Sequence, residues 1–144
     1  MAVTVRQLQA HELAWANARY AEIDFLQSTP DDYIALAEKD GQPAGLGRLV
    51  RVADDACELG GMYVFPAQRG GGIARALINE LIGQSGSDTL YCLPFANLRA
   101  LYASAGFGER APDPAMPAQV LEKFAWCNGH YAREVLLLAR DPPP

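Results

Sequence analysis

The sequence predicts a mixed α/β fold, and three observations predict it. Strand-like and helix-like segments alternate along the chain, a strand runs straight into a helix through a glycine-rich turn within residues 56–82, and Asp40-Gly41 joins two β-favouring runs as a hairpin. With 144 residues, 50% of them hydrophobic, the chain suits a single domain over residues 1–144 that buries its own core.

Residues 2–7 alternate weakly and read as a first strand. From His11 to about Leu26 a helix is expected, because Leu13, Ala16, Tyr20 and Ile23 share one face. Tyr33–Glu38 and Ala44–Val52 read as the two strands of the hairpin, and Asp54-Asp55 as the next turn. The following strand, Cys57–Phe65, is β-favouring at Met62-Tyr63-Val64-Phe65 and closed by Pro66, which has no N–H to give to a ladder. Gly60-Gly61 inside it points to a bulge or a close backbone approach. After the glycine turn, Ile73, Leu77, Ile78 and Leu81 recur at helical spacing. Asp88–Pro94 is a further strand, and Leu98, Leu101, Tyr102 and Ala105 form the stripe of a short helix capped by Gly106. The three prolines in 111–117 mark a loop. Val120, Leu121, Phe124 and Ala125 predict a helix over 117–128, Glu134–Ala139 a last buried strand, and residues 141–144 a frayed tail.

The turn Gln68-Arg69-Gly70-Gly71-Gly72-Ile73-Ala74 carries the chemistry. Three glycines permit positive φ and leave no Cβ in the way of a ligand. The first N–H groups of the helix lack internal partners and sit at the positive end of its dipole, so a phosphate is the natural guest, with Arg69 and Arg75 adding charge at the rim. No Lys-Ser or Lys-Thr pair follows the glycines, which excludes a nucleotide-triphosphate P-loop, and a dinucleotide Gly-x-Gly-x-x-Gly fails because the sixth residue from Gly70 is Arg75.

Read from Arg69, the order is Arg-x-x-Gly-x-Ala, after a strand ending in Tyr-Val-x-Pro. Asn97, a short helix, Tyr102 and Gly106-Phe107 follow. Together these resemble the two signatures of the GNAT superfamily, the acyl-CoA-dependent N-acetyltransferases, over about residues 43–108. The resemblance implies a central, twisted, mostly antiparallel sheet of six to seven strands flanked by helices, with the strand, glycine loop and helix as cofactor site and acetyl-CoA as co-substrate. It implies that Arg69, Gly70, Gly71, Gly72, Ile73 and Ala74 hold the diphosphate and that Met62, Tyr63 and Val64 meet the pantetheine arm and the thioester carbonyl. It places Asn97 at the cofactor and Tyr102 opposite the leaving sulfur. The residues add Glu58 as candidate base or ammonium anchor, by its place on the same strand. The first helix and the segment after it wall the acceptor cleft in the superfamily, here about residues 20–25, which singles out Asp24 for an ammonium and Phe25 for an apolar arm; Arg48 is the candidate for a carboxylate if the acceptor is an amino acid. The helix at 117–128 departs from the superfamily, which more often joins its last strands by a loop.

A net charge of −5 argues against a nucleic-acid or anionic-membrane surface, and with it against acetylation of charged transfer RNA. Cys57, Cys92 and Cys127 are scattered and odd in number, which suits free thiols in a reducing compartment. Cys127 and His130, with His11 remote, do not make up a zinc set, so no metal is expected. The N-terminus lacks the pattern of a secretory signal, and no apolar run reaches the about 20 residues of a membrane span, so the cytoplasm is the expected location. The expected function is transfer of an acetyl group from acetyl-CoA to a primary amine of a small molecule or peptide in one direct step. A non-catalytic acyl-CoA-binding sensor or interaction module is the alternative. Relatives often pair through their last strands, which makes a homodimer an expectation of the resemblance.

Overall fold

A computed structural model describes residues 2–144. The elements run β1 (Val3–Gln7), α1 (Leu13–Ala21), β2 (Tyr33–Lys39), β3 (Gln42–Ala53), β4 (Ala56–Val64), α2 (Ile73–Gln84), β5 (Thr89–Cys92), α3 (Arg99–Ala103), β6 (Gly108–Glu109), α4 (Ala118–His130) and β7 (Leu138–Arg140). The seven strands order as β1-β2-β3-β4-β5-β7-β6. β1 with β2, β2 with β3, β5 with β7 and β6 with β7 are antiparallel, and β4 with β5 is parallel. The fold is thus the mixed α/β sheet expected. The chain divides into two compact units, one of residues up to Val50 with Gly61–Gln84, the other of Arg51–Gly60 with Ser85–Pro144.

In the first unit the hairpin turn forms as its residues dictate, Asp40 at φ 52° and Gly41 at φ 80° both left-handed. Ala16 and Tyr20 of α1 pack with Ile34, Leu36, Leu46 and Tyr63 into one core. The first helix is shorter than the periodicity predicts. A 3₁₀ turn, Ala10–Glu12, precedes it, and after Ala21 the amide of Phe25 returns to Tyr20 O while Asp24 takes φ 59°, which ends the helix before Leu26. α2 buries Ile73, Leu77, Ile78 and Leu81, the expected face.

Gly61 is a close approach. Its φ is 59°, and an added Cβ would lie 2.7 Å from Arg48 Nε and 2.8 Å from Tyr20 Oη. The Tyr20 hydroxyl donates to Gly61 O at 2.8 Å, and the Arg48 guanidinium lies 4.5 Å from the centre of the same ring. Gly61→Ala therefore combines left-handed strain with overpacking and should cost about 2–4 kcal/mol of stability, read from urea unfolding. Wild-type stability would mean that this cluster yields freely.

In the second unit Ala56, Tyr91, Val120, Leu137 and Ala139 form the core. The helix expected over 117–128 runs from Ala118 to His130. The last strand is shorter than Glu134–Ala139, because the preceding residues bond elsewhere: the Asn128 side chain takes both the N–H and the carbonyl of Val135, and the Leu136 amide donates to Pro94 O. β6, two residues long, is too brief to leave a periodic trace in the sequence.

Candidate functional site

In the first unit the glycine turn joins β4 to α2. Pro66–Gln68 makes a 3₁₀ turn, and Arg69 follows it in an extended conformation, exposed. Gly70 at φ 85° and Gly72 at φ 77° are left-handed, and an added Cβ at either would meet nothing within 4 Å. The Gly72 carbonyl accepts from the Ala76 amide at 3.1 Å, so Gly72 opens the helix and the amides of Ile73 and Ala74 fall in its first turn, where no i−4 carbonyl exists to receive them. Ile73 is itself buried and anchors the turn in the core. At Gly70 and Gly72 the turn is open, and it is led by a helix start, which suits a diphosphate. The residues present therefore fit the cofactor that the sequence implies.

Met62, Tyr63 and Val64 precede the turn. The Met62 thioether sits over Gly47, whose added Cβ would lie 2.7 Å from the sulfur. Tyr63 is buried and its hydroxyl donates to Glu22 at 3.3 Å. After α1, Asp24 is exposed, and Phe25 is half-buried and stacked on Tyr20 with centroids 6.2 Å apart. This segment is held in place. Asn17 exchanges two hydrogen bonds with the Ser28 backbone, and Arg48 Nη1 donates to Leu26 O at 2.9 Å and Ser28 Oγ at 2.6 Å. Arg48, expected to meet a carboxylate, is buried and has Nη1 committed to these oxygens, so it pins the segment that carries Asp24 and Phe25.

In the second unit, β5 pairs with Ala56, Cys57 and Glu58 of β4, and that ladder stops at Glu58 while the strand runs on to Val64. Glu58 is 4% exposed, and its Oε2 accepts from Lys123 Nζ of α4 at 2.6 Å. Gly60 makes room for that carboxylate, since a Cβ there would stand 3.0 Å from Oε2. Lys123 escaped the sequence reading, although its signal is present: it lies between Val120 and Cys127, the buried residues of α4. A lysine on a buried stripe asks for a carboxylate.

Tyr102 is 2% exposed. Its phenol donates to the Cys92 thiol, and burial, then Cys92, holds it well above the usual phenol range. Cys92 is raised too, chiefly by its own burial and next by the charge of Glu58, which makes it an inert thiol rather than a nucleophile. Asn97 is exposed in the 3₁₀ turn Ala96–Leu98, and its Oδ1 accepts from Arg133 Nη2 at 2.5 Å, with the Arg133 guanidinium 4.3 Å from the Phe95 ring centre. Among the described residues no group of three or more His, Cys, Asp or Glu could hold a metal ion, and no helix is long and apolar enough to cross a membrane.

The comparisons agree with this anatomy. The family model "Acetyltransferase (GNAT) family" matches residues 2–107. No curated protein matches by sequence. Among solved structures, N-acetylglutamate synthase from Neisseria gonorrhoeae, complexed with coenzyme A and N-acetyl-glutamate, aligns over 100% of this chain at 21% identity and a TM-score of 0.74, although the chain spans only 36% of that protein. The ribosomal-protein-S18-alanine N-acetyltransferase from Escherichia coli aligns over 99% of this chain and 96% of its own at 18% identity and a TM-score of 0.69. A Mycobacterium tuberculosis protein, Rv2747, in complex with CoA, aligns over 97% and 99% at 16% identity and a TM-score of 0.75. With a bare glycine turn opening α2 and a family model covering most of its length, the chain belongs to the acetyltransferase (GNAT) family, the acyl-CoA-dependent N-acyltransferases whose co-substrate is acetyl-CoA.

Proposed function

We propose that this protein transfers an acetyl group from acetyl-CoA directly to a primary amine of a small molecule or peptide. The observation that carries the reading is the turn at Gly70–Gly72, left-handed at both ends, open above, and leading into the N-terminus of α2. Arg69, the three glycines and the amides of Ile73 and Ala74 would hold the cofactor's diphosphate. The bound thioester supplies an activated acetyl group. The backbone of Met62–Val64 is the candidate for steadying its carbonyl. Asp24 and Phe25 are the candidates for the acceptor's charge and its apolar part, on a segment that Arg48 and Asn17 keep ordered. Glu58, held by Lys123, takes the proton that the acceptor's ammonium must lose, and Tyr102 gives a hydrogen bond to the departing sulfur.

Two contacts favour a second reading, a module that binds acyl-CoA without turning it over: the Tyr102 phenol is engaged by Cys92, and Glu58 is already paired with Lys123. One assay separates the two. Purified protein with acetyl-CoA and a panel of amino acids, polyamines and peptide N-termini should release free thiol with at least one acceptor, and Tyr102→Phe should lower turnover tenfold or more while leaving acetyl-CoA affinity within about twofold. Binding of coenzyme A with no thiol released across the panel would select the module. Equal turnover in Tyr102→Phe would remove the phenol from the chemistry.

A further inference from the structure

The glycine turn has a neighbour that its own motif does not contain. Lys39, the last residue of β2, is half-buried, and an added Cβ at Gly71 would lie 3.0 Å from its Nζ and 3.6 Å from its Cε. The ammonium is therefore laid against the backbone of the turn. Acids flank it in sequence, yet both are engaged elsewhere. Glu38 Oε1 accepts from Arg6 Nε at 3.3 Å, and Asp40 Oδ1 accepts from the Ala2 amide at 3.2 Å. Among the described residues the ion pairs use Arg6, Arg19, Arg51, Arg99, Arg110 and Lys123, and none includes Lys39. In a chain with five more acidic than basic charges, a lysine kept out of every such pair and aimed at a turn stripped of side chains is placed for an anion from outside.

We propose that Lys39 binds the diphosphate of the cofactor, as a cation that β2 supplies to the turn beside Arg69. The inference rests on the turn being the cofactor's site. Its geometry follows from the sheet: β2 pairs with β3 through Lys39 and Gln42, which sets the lysine at the strand end rather than in the hairpin tip. A point charge with three rotatable donors on a flexible stem can follow a diphosphate, whose oxygens offer several acceptors. A larger residue at 71 would displace the Lys39 ammonium from the backbone of the turn, which the flexible end of that side chain permits.

Isothermal titration of the full chain tests this with two ligands, coenzyme A and 3′-dephospho-coenzyme A, which share the diphosphate and differ in the ribose phosphate. Lys39→Gln should bind both about tenfold more weakly than wild type, with a flatter dependence on salt, and Lys39→Arg should stay within about threefold. Unchanged affinity in Lys39→Gln overturns the proposal. Loss confined to coenzyme A also overturns it, since Lys39 would then meet the ribose phosphate instead. If wild type bound neither ligand, the reading of the turn as a cofactor site would fall, and this proposal with it.

Discussion

Lys123→Met should lower stability by about 2–3 kcal/mol and the melting temperature by roughly 6–12 °C, because it strands a carboxylate that the fold has buried. Glu58 is 4% exposed, and its Oε2 accepts from the lysine at 2.6 Å. Breaking a buried pair from one side typically costs about 3–5 kcal/mol; the figure here is lower because the Lys123 side chain keeps 28% of its exposure and water screens part of the charge. Replacing both partners by apolar residues of similar volume removes the stranded charge as well, so Glu58→Leu with Lys123→Met should recover most of the loss. A non-additive cycle of this sign is the diagnostic result. A Lys123→Met protein that melts with wild type would show that the carboxylate finds water or another donor.

That pair also shows where reading the sequence ended. Glu58 could be singled out from its strand, and Lys123 stands on the buried stripe of α4 with Val120 and Cys127, but their 65-residue separation means that only tertiary structure brings them together. The glycine turn was legible because its cues are local: Pro66 ends a ladder, glycines admit positive φ, and Ile73, Leu77, Ile78 and Leu81 set the helix that follows. Tyr102 was legible as a stripe residue of its helix, and α3 does bury it. Its bond to Cys92 was not, since it depends on how α3 lies on β5. Arg48 looked like a ligand for a carboxylate and proved to hold Leu26 and Ser28, a task that exists only once the chain after α1 folds back over β3. Lys39 left no trace at all, because its significance lies in where the end of β2 falls.

The double substitution Gly70→Ala with Gly72→Ala should reduce affinity for coenzyme A by roughly 30- to 1,000-fold while leaving the melting temperature within a few degrees. At φ 85° and 77° both positions lie where an L side chain costs about 1–2 kcal/mol, and the turn can escape that cost by changing shape. The added methyls themselves would meet nothing within 4 Å, so any loss comes from the backbone and not from blocked space. Two such penalties sum to about 2–4 kcal/mol, which gives the stated range. Stability is spared because the turn is exposed and its anchor, Ile73, is untouched. Gly71→Ala supplies the contrast. Its φ is outside the left-handed range, and its Cβ meets the mobile end of Lys39, which can move aside, so it should cost no more than about tenfold. Wild-type affinity in the double variant, measured by the same titration, would mean that the bend of these glycines does not shape the cofactor's seat.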